Sequence, residues 1–250
     1  YKTPCPNGDH DADIMYNFWV KELDCVSCGH TVPLFKDYRV GKGRYDNDDK
    51  YNVYCPSCES VTLVDDWQSE CECNNCKNNW CPKEGNSNRG KHNCPHCGQK
   101  YSNKDASQEQ GGYQLRLYAI EYYCEHCDNE GRKKSEHKGY KSVEPADRRL
   151  FEKAKKEWET RTDLHEFVPD EEIPPGHMVS ERNPVFEHGY KKWTDMFNER
   201  QLLCLSKLMK SINSIDDQNL KELLLLVLTG IIRTNTMMVG YDYSRNGVVN

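Results

Sequence analysis

The stretch Cys25-Val26-Ser27-Cys28-Gly29 contains the first of four C-x-x-C pairs that decide how this chain folds. The other three pairs are Cys55/Cys58, Cys94/Cys97 and Cys124/Cys127. Two thiolates on one tight turn, a knuckle, can occupy two corners of a tetrahedron, and a second knuckle supplies the other two. The pairs therefore predict four-cysteine zinc sites. These sites should be structural, because four thiolates leave no open coordination position.

The spacing of the pairs suggests an internal repeat, C-x2-C-x26-C-x2-C, that occurs twice. A Gly follows both Cys28 and Cys97, and Tyr-rich and Val-rich flanks predict strands that enter the second knuckle of each unit. The equal loops favour sequential pairing, in which each unit holds one zinc ion. The alternative is a nested or crossed arrangement. In it, Cys25/Cys28 would join Cys94/Cys97, and the segment between them would be an insertion with its own site.

Other cysteines and histidines could add to these two zinc sites. A dense cluster, CECNNCKNNWC, could hold a third zinc ion, or its thiols could be free in an exposed loop; its cysteines are Cys71, Cys73, Cys76 and Cys81. Cys5 and His10 could form half of a further site. Cys204 lies among leucines and is expected in the core, whereas His96 and His126 lie inside knuckles and are expected to be exposed.

The composition explains why metal is needed. Leu, Ile, Val and Phe make up only 45 of the 250 residues, and the mean hydropathy is -0.95, a composition close to that of disordered chains. Structural zinc contributes on the order of 10 kcal/mol or more of folding free energy per ion, which would offset the thin core. Spacing indicates metal rather than disulfides for the 14 cysteines. Without a leader or membrane span, we expect a soluble, cytoplasmic protein.

The chain is expected to be α+β, with tandem small-β zinc ribbons followed by an α-helical region. The predicted domains are a zinc-ribbon region at 1–130, a basic linker at 131–144 and a helical region at 145–250. Pro145 suits the first turn of a helix. Asn198 with Gln201 predicts a capping box, and Asp216 or Asp217 can cap the next helix, which is apolar on more than one face and should be buried.

The charge of the chain gives little support for a surface that binds nucleic acid. The net charge of -6 argues against general attraction to phosphates. A local basic stretch could form a DNA-facing patch or a solvated linker; its cations are Arg132, Lys133, Lys134, Lys138 and Lys141. No H-x-E precedes a P-C-x-x-C pair, and the common nucleotide-binding and hydrolase motifs are absent, so the sequence shows no catalytic apparatus.

Several stretches in a consistent order resemble the zinc-ribbon-containing adenine-specific DNA methylases of prokaryotes. They are DADIMYNFWVKELDCVSCGHTVPLF near the start, IPPGHM at 173–178, WTDMFNERQLLCLSKL at 193–208 and RTNTMMVGYDYSRNGVVN at 233–250. The resemblance implies that the ribbons and the F-x-x-R-Q-L helix, which begins near Phe197, lie between two halves of a methyltransferase. The first half would carry the AdoMet loop and the second a D-P-P-Y motif.

The sequence departs from that family in two ways. It contains neither the AdoMet loop nor D-P-P-Y; the nearest string is Asn183-Pro184-Val185-Phe186. Relatives tend to show a further C-x-x-C before the DADI-like stretch, where this chain has only Cys5 and CPNGDH. Because the chain begins at Tyr1 rather than Met, we expect a segment of a larger protein that uses AdoMet elsewhere.

We therefore expect a non-catalytic zinc-ribbon and helical insert of a DNA adenine methyltransferase that aids DNA recognition or domain positioning. Its partners would be the rest of that enzyme and, through it, DNA. The alternative is a zinc-ribbon module that binds another protein of a DNA-defence or DNA-processing system. A thiol redox protein is disfavoured, because tight zinc ligation would occupy the same thiolates.

Overall fold

The computed structural model describes residues 1–177 and 185–249. It is a mixed α and β structure with several small antiparallel sheets and separate helices. Two compact units are present: Tyr1–Asp147 with Tyr243–Asn246, and Arg148–Asp242 with Gly247–Asn250. Of the strings in the family resemblance, Met178, Asn183, Pro184 and Asn250 lie outside the described residues.

The largest sheet of the first unit is built on two long antiparallel strands, β2 and β12. The strands of this sheet are β1 (Lys2–Pro4), β2 (Asp11–Asp24), β3 (Thr31–Pro33), β12 (Gln114–Tyr123) and β13 (Lys138–Ser142). β12 lies along one edge of β2, while β1 and β3 pair with the two ends of the opposite edge. β13 continues the sheet beyond β12. The predicted strand before Cys124 is therefore confirmed.

Three smaller sheets lie between β3 and β12 in the sequence. The first contains β4 (Arg39–Lys42), β5 (Tyr51–Tyr54) and β6 (Val61–Val64). The second is the hairpin of β7 (Cys71–Glu72) and β8 (Asn79–Trp80). The third contains β9 (Ser87–Asn88), β10 (Lys91–Asn93) and β11 (Lys100–Ser102). The strand predicted to enter the Cys55 knuckle is thus β5, which ends at the residue before that cysteine.

The core of the first unit is small and aromatic. Phe35 stacks on Tyr54 with ring centroids 4.9 Å apart and meets Tyr118 edge-on at 5.1 Å. Tyr38 completes the group at 5.1 Å from Phe35. Five aliphatic residues of the same unit have no exposed surface: Val32, Val40, Val53, Ala119 and Ile120. Aromatic rings bury large areas, so these few residues supply much of the apolar burial that the composition allows.

The segment predicted to be a basic linker is ordered in the structure. It contains α3 (Lys134–His137) and the sheet strand β13. Two other short helices belong to the first unit, α1 (Asn103–Glu109) and α2 (Glu125–Asn129). The backbone of residues 138–142 is fixed by the ladder with β12, which periodicity alone did not reveal because only Lys141 of this strand is buried.

The second unit is largely helical. Its main helices are α4 (Pro145–Thr160), which begins at the predicted proline in the first unit, α5 (Glu199–Asn213) and α6 (Gln218–Thr234). The predicted capping box is confirmed: Asn198 Oδ1 accepts from the Gln201 N–H at 3.0 Å, and Gln201 Oε1 accepts from the Asn198 N–H at 2.9 Å. Asp217 caps α6 through the Leu220 N–H at 3.0 Å.

Short elements complete the chain. Among the described residues, 3₁₀ helices occur at Tyr45–Asn47, Thr162–Phe167, Val185–His188 and Trp193–Met196, and a hairpin pairs β14 (Tyr241–Asp242) with β15 (Gly247–Val248).

Two expectations about the helical region were wrong. Helix α6 is not buried: of its described residues only Leu228 is, whereas Leu223 and Leu226 are 57% and 69% exposed. Cys204 on α5 is exposed rather than in the core. Both expectations assumed that a residue with apolar neighbours in the sequence is also covered by apolar side chains in the fold. Helical spacing determines which residues share a face, but it does not determine what covers that face.

Candidate metal centres

Three groups of four side chains converge in the first unit, and each could hold a metal ion. The outer cluster contains Cys5, His10, Cys124 and Cys127. The middle cluster contains Cys25, Cys28, Cys94 and Cys97. The inner cluster contains Cys55, Cys58, Cys73 and Cys76. In each cluster the four ligand atoms lie within 4.8 Å of one another.

The middle cluster has the dimensions of a four-thiolate metal site. The Sγ atoms of Cys25 and Cys97 are 3.6 Å apart, and those of Cys28 and Cys94 are 3.7 Å apart. A tetrahedron with metal–sulfur bonds of about 2.3 Å has edges of about 3.8 Å. A disulfide bond is only about 2.0 Å long. The four sulfurs are thus arranged around a space that fits one metal ion.

The inner cluster repeats this geometry with different knuckles. Its Sγ–Sγ distances are 3.7 Å between Cys55 and Cys76 and 3.6 Å between Cys58 and Cys73. The Ser60 hydroxyl lies 3.0 Å from the sulfur of Cys58 and 3.3 Å from that of Cys73, so it adds a polar contact next to the ligands. Outer contacts of this kind orient the ligands of a metal site.

The four knuckles of the middle and inner clusters share one backbone turn. In each, the N–H of the residue after the second cysteine donates to the carbonyl of the first, at 2.8 to 3.0 Å. That residue has a positive φ in all four cases: Gly29 (71°), Glu59 (60°), Lys77 (62°) and Gly98 (74°). Glycine adopts this conformation readily, which explains the shared C-G that the sequence shows after Cys28 and Cys97.

The outer cluster uses one histidine in place of a cysteine. His10 Nε2 lies 3.1 Å from Cys124 Sγ and 3.3 Å from Cys127 Sγ, and the sulfurs of Cys5 and Cys127 are 3.7 Å apart. Cys5 follows β1 and His10 precedes β2, and the Cys5 N–H donates to the His10 carbonyl at 2.8 Å. The turn between two paired strands therefore presents both ligands.

The antiparallel pairing of β2 with β12 explains the nested order of the clusters. Gln114 at the start of β12 lies opposite Glu22, close to the Cys25 knuckle, while Tyr123 at its end lies opposite Asp13. Asp13 and Cys25 are twelve positions apart along extended chain, a distance on the order of 35–40 Å. Strand β12 therefore carries Cys124 away from the other knuckles and towards the turn that holds Cys5 and His10.

The favoured sequential pairing was therefore wrong, and the nested alternative describes the structure. Cys25/Cys28 joins Cys94/Cys97, and the segment between them carries its own cluster. The equal 26-residue loops connect knuckles of different clusters, so equal length did not reflect equal units. The predicted half-site of Cys5 and His10 is confirmed, and its other half is the last pair, Cys124 and Cys127, which the sequence did not indicate. The turn-forming residues P-N-G-D between Cys5 and His10 are the sequence signal for this half-site.

The dense cysteine cluster divides into two kinds of residue. Cys73 and Cys76 belong to the inner cluster, whereas Cys71 and Cys81 lie outside all three clusters of the described residues, which corrects their prediction as ligands. Cys71 is in β7 opposite Trp80, and the Cys81 thiol donates to the Gln68 carbonyl at 3.4 Å. Only Cys73 and Cys76 have the two-residue spacing that forms a knuckle, which is the physical reason for the division.

Within each cluster, the pKa is lowered for some thiols and raised for others. Burial alone raises the pKa of Cys25, but hydrogen bonds with the Cys28 backbone and with the Tyr101 hydroxyl outweigh it and lower the pKa to about 6. Burial is likewise outweighed at Cys58, where the Ser60 hydroxyl helps to lower the pKa to about 6. Burial and the neighbouring thiols raise the pKa of Cys55 to about 12. Without a cation, one thiolate thus opposes ionisation of the next, and a bound metal would remove that penalty.

Two histidine pairs lie beside the clusters. His96 stacks on His30 with ring centroids 4.1 Å apart, and His126 stacks on His10 at 4.2 Å. His96 and His126 are exposed, which confirms their predicted position. His126 therefore covers a ligand of the outer cluster without belonging to it.

The cations predicted to form a DNA-facing patch are largely engaged with the protein itself. Lys141 is 6% exposed, and its ammonium donates to Thr3 Oγ1 at 3.0 Å and to the Pro4 carbonyl at 2.8 Å. Arg132 pairs with Glu130 at 2.8 Å. Lys138 lies 4.0 Å from the buried Glu121 carboxylate. Lys133 and Lys134 are exposed near α3.

No helix in the described part of the chain is long and apolar enough to cross a membrane. Comparison of the sequence and structure with protein-family models, with characterised proteins and with solved structures gave no match.

Proposed function

We propose that this chain is a zinc-stabilised, non-catalytic module that associates with DNA as part of an adenine-specific DNA methyltransferase. The observation that carries the zinc assignment is the set of three four-donor clusters, built from sulfur and one imidazole. Thiolate and imidazole donors in a closed tetrahedron are typical of structural zinc. No coordination position remains open for substrate, so the metals stabilise the fold and the chemistry belongs elsewhere.

We interpret the clusters as nested zinc ribbons. Each joins elements distant in sequence: the outer cluster ties the turn before β2 to the end of β12, and the middle cluster ties β3 to β10. Such links close long loops in the folded chain. They therefore limit the conformational freedom of the backbone in a protein whose apolar core is thin. The reduced thiols that zinc needs suit a cytoplasmic location.

The methylase assignment rests on the stretches of sequence that resemble that family and on one structural feature. Relatives tend to carry a C-x-x-C before the DADI-like strand, and here Cys5 and His10 occupy that place as half of the outer cluster. The departure from the family pattern thus preserves two metal donors. The partners in this proposal are the methyltransferase halves, which would bind AdoMet, and DNA reached through them.

Metal analysis tests the zinc assignment directly. Protein purified without added chelator should contain three zinc ions per chain, one for each cluster. A value of one or below, with no other metal present, would contradict it.

The methylase assignment has an independent test in the coding sequence around this segment. It should encode a glycine-rich AdoMet loop upstream and a D-P-P-Y motif downstream, and the absence of both would rule the assignment out. By itself the chain should show no AdoMet binding in calorimetry.

A second candidate function, a protein-interaction module, is favoured by the surface of α6. Leu220, Leu223 and Val227 lie at helical spacing and are 46%, 57% and 53% exposed. Apolar side chains on one exposed face are typical of surfaces that bind protein. Co-purification of a protein other than the methyltransferase, lost when these residues are made polar, would favour this candidate.

A further inference from the structure

The segment from residue 85 to 104 is basic in a chain that is acidic overall. It contains no Asp or Glu and four cations, Arg89, Lys91, Lys100 and Lys104, although the whole chain has a net charge of -6. The segment forms the sheet of β9, β10 and β11 and the second knuckle of the middle cluster. Its charge is therefore concentrated on one small sheet.

The strand register places the cations of this sheet on one face. Lys91 pairs with Asn88 on one side and Ser102 on the other, and Asn93 pairs with Lys100. Directly paired residues, and residues two apart in a strand, point to the same face. Lys91 and Lys100 are thus diagonal neighbours about 7–8 Å apart. Adjacent phosphates along one nucleic-acid strand have a comparable separation.

The opposite face of this sheet is buried. His92 is 1% exposed, and its Nδ1 lies 2.8 Å from Asn103 Oδ1. Asn103 also donates to Ser87 Oγ at 3.1 Å. The tight turn between β9 and β10 has positive φ at both Arg89 (49°) and Gly90 (75°), as in a type I′ turn. This turn presents Arg89 next to Lys91 on an ordered hairpin.

The three cations Arg89, Lys91 and Lys100 are exposed and make no ion pair within residues 1–177 and 185–249. This distinguishes them from Arg132 and Lys141, which pair with Glu130 and Glu144. An uncompensated positive surface attracts a polyanion, and its strength depends on salt.

The chemistry of the face favours a phosphate backbone over an acidic protein. Its other residues are Asn88, Asn93 and Ser102, so it has no aliphatic or aromatic anchor. Protein interfaces depend on such anchors, whereas phosphate contacts use cations and small polar groups. A zinc ion with four thiolates carries two formal negative charges, which keeps a polyanion away from the knuckles and along the strands.

We propose that the exposed face of the β9–β11 sheet, together with the turn between β9 and β10, binds the phosphate backbone of DNA through Arg89, Lys91 and Lys100. This proposal rests on the proposed DNA association. It assigns the DNA contact to this face instead of to residues 132–141. The contacts are independent of base sequence, since the face presents charge without any element shaped to enter a groove.

The test measures binding of the full chain to a short fluorescent duplex DNA by anisotropy over a range of salt concentrations. Three phosphate contacts predict a slope of log K against log salt of about -3. The variant R89Q/K91Q/K100Q should bind at least about tenfold more weakly at low salt, with a slope near zero. The control R132Q/K133Q/K134Q removes the same charge from the other basic stretch and should bind like wild type.

Equal weakening by both triple variants would overturn the proposal, because only net charge would then matter. Wild-type affinity in R89Q/K91Q/K100Q would also overturn it while leaving DNA association intact. No binding by any of the three proteins would instead refute the proposed DNA association itself. Tighter binding of a poly-glutamate peptide than of DNA would assign the face to an acidic protein. Zinc content and circular dichroism of each variant establish that the fold is retained.

Discussion

The hydroxyl of Tyr101, a residue of β11, lies 3.7 Å from Cys25 Sγ in the first knuckle of the middle cluster. The same hydroxyl donates to Ser27 Oγ at 2.6 Å and accepts from the Ser27 N–H at 3.1 Å. Tyr101 thus holds the first knuckle from the strand that follows the second. It is a positioning residue for the metal ligands.

Removal of this hydroxyl should weaken metal binding at one cluster only. Contacts of this outer kind typically affect metal affinity by about 10–100-fold, so Tyr101→Phe should lower the affinity of the middle cluster by at least about tenfold. Competition with a chromophoric chelator measures the change as one weak site among three. Tyr113→Phe is the matched control, because the Tyr113 hydroxyl donates to the Asn103 carbonyl at 3.3 Å. Equal losses in the two variants would contradict the positioning role.

Cysteine variants distinguish ligands from neighbours in the dense cluster. Cys76→Ser should reduce the metal content from three ions to two, because it removes one donor of the inner cluster. Cys81→Ser should leave the content at three, since Cys81 belongs to none of the clusters. Elemental analysis of purified protein provides the measurement. A loss of one ion from Cys81→Ser would mean that the inner cluster uses a different donor set.

Much of the local structure could be predicted from the sequence, but its long-range pairing could not. The knuckles, Pro145 at the start of α4 and the Asn198–Gln201 cap depend on residues close together in the chain. The choice of which knuckle faces Cys124 depends on the direction of β12 against β2. Strands β2 and β12 are about 90 residues apart in the chain, and the spacing of the cysteines does not show which way β12 runs along β2.

The same limit applies to charge. The cations of 131–141 are close in sequence, and two of them pair with nearby acidic residues, Arg132 with Glu130 and Lys141 with Glu144. Only the fold brings the buried Glu121 to 4.0 Å from Lys138. The cations of 85–104 are spread over three strands, and only the register brings Lys91 and Lys100 together. A run of cations in the sequence is therefore weak evidence for a binding surface until the acidic residues beside each cation in the structure are known.

A buried ion pair in the large sheet should contribute strongly to its stability. Glu121 has no exposed surface, and Arg44 donates to its carboxylate at 2.5 Å. Loss of one partner of a buried pair leaves an uncompensated charge and typically costs about 3–5 kcal/mol. Arg44→Met should therefore destabilise the first unit by about 3–5 kcal/mol at most. The loss is reduced because the Lys138 ammonium lies 4.0 Å from the Glu121 carboxylate and partly balances its charge.

The double variant R44M/E121Q separates charge from packing in this pair. Its neutral amide at position 121 removes the carboxylate charge that Arg44 no longer balances, so it should be more stable than Arg44→Met alone. Denaturant unfolding, monitored by circular dichroism in the metal-loaded protein, measures both. A double variant that is less stable than the single one would show that packing of the arginine, rather than its charge, provides the stabilisation.

Helix α6 should tolerate charge on its exposed apolar side chains. Leu223 and Leu226 are 57% and 69% exposed, and exposed positions usually change the free energy of unfolding by less than about 0.5 kcal/mol. We expect L223K/L226K to unfold at the same denaturant concentration as wild type and to be less prone to associate, as measured by light scattering. Leu203→Ala on α5 is the contrasting control: Leu203 is 4% exposed, and its truncation should cost about 2–5 kcal/mol. A large destabilisation by L223K/L226K would place these leucines in a core, and unchanged light scattering would show that they do not promote association.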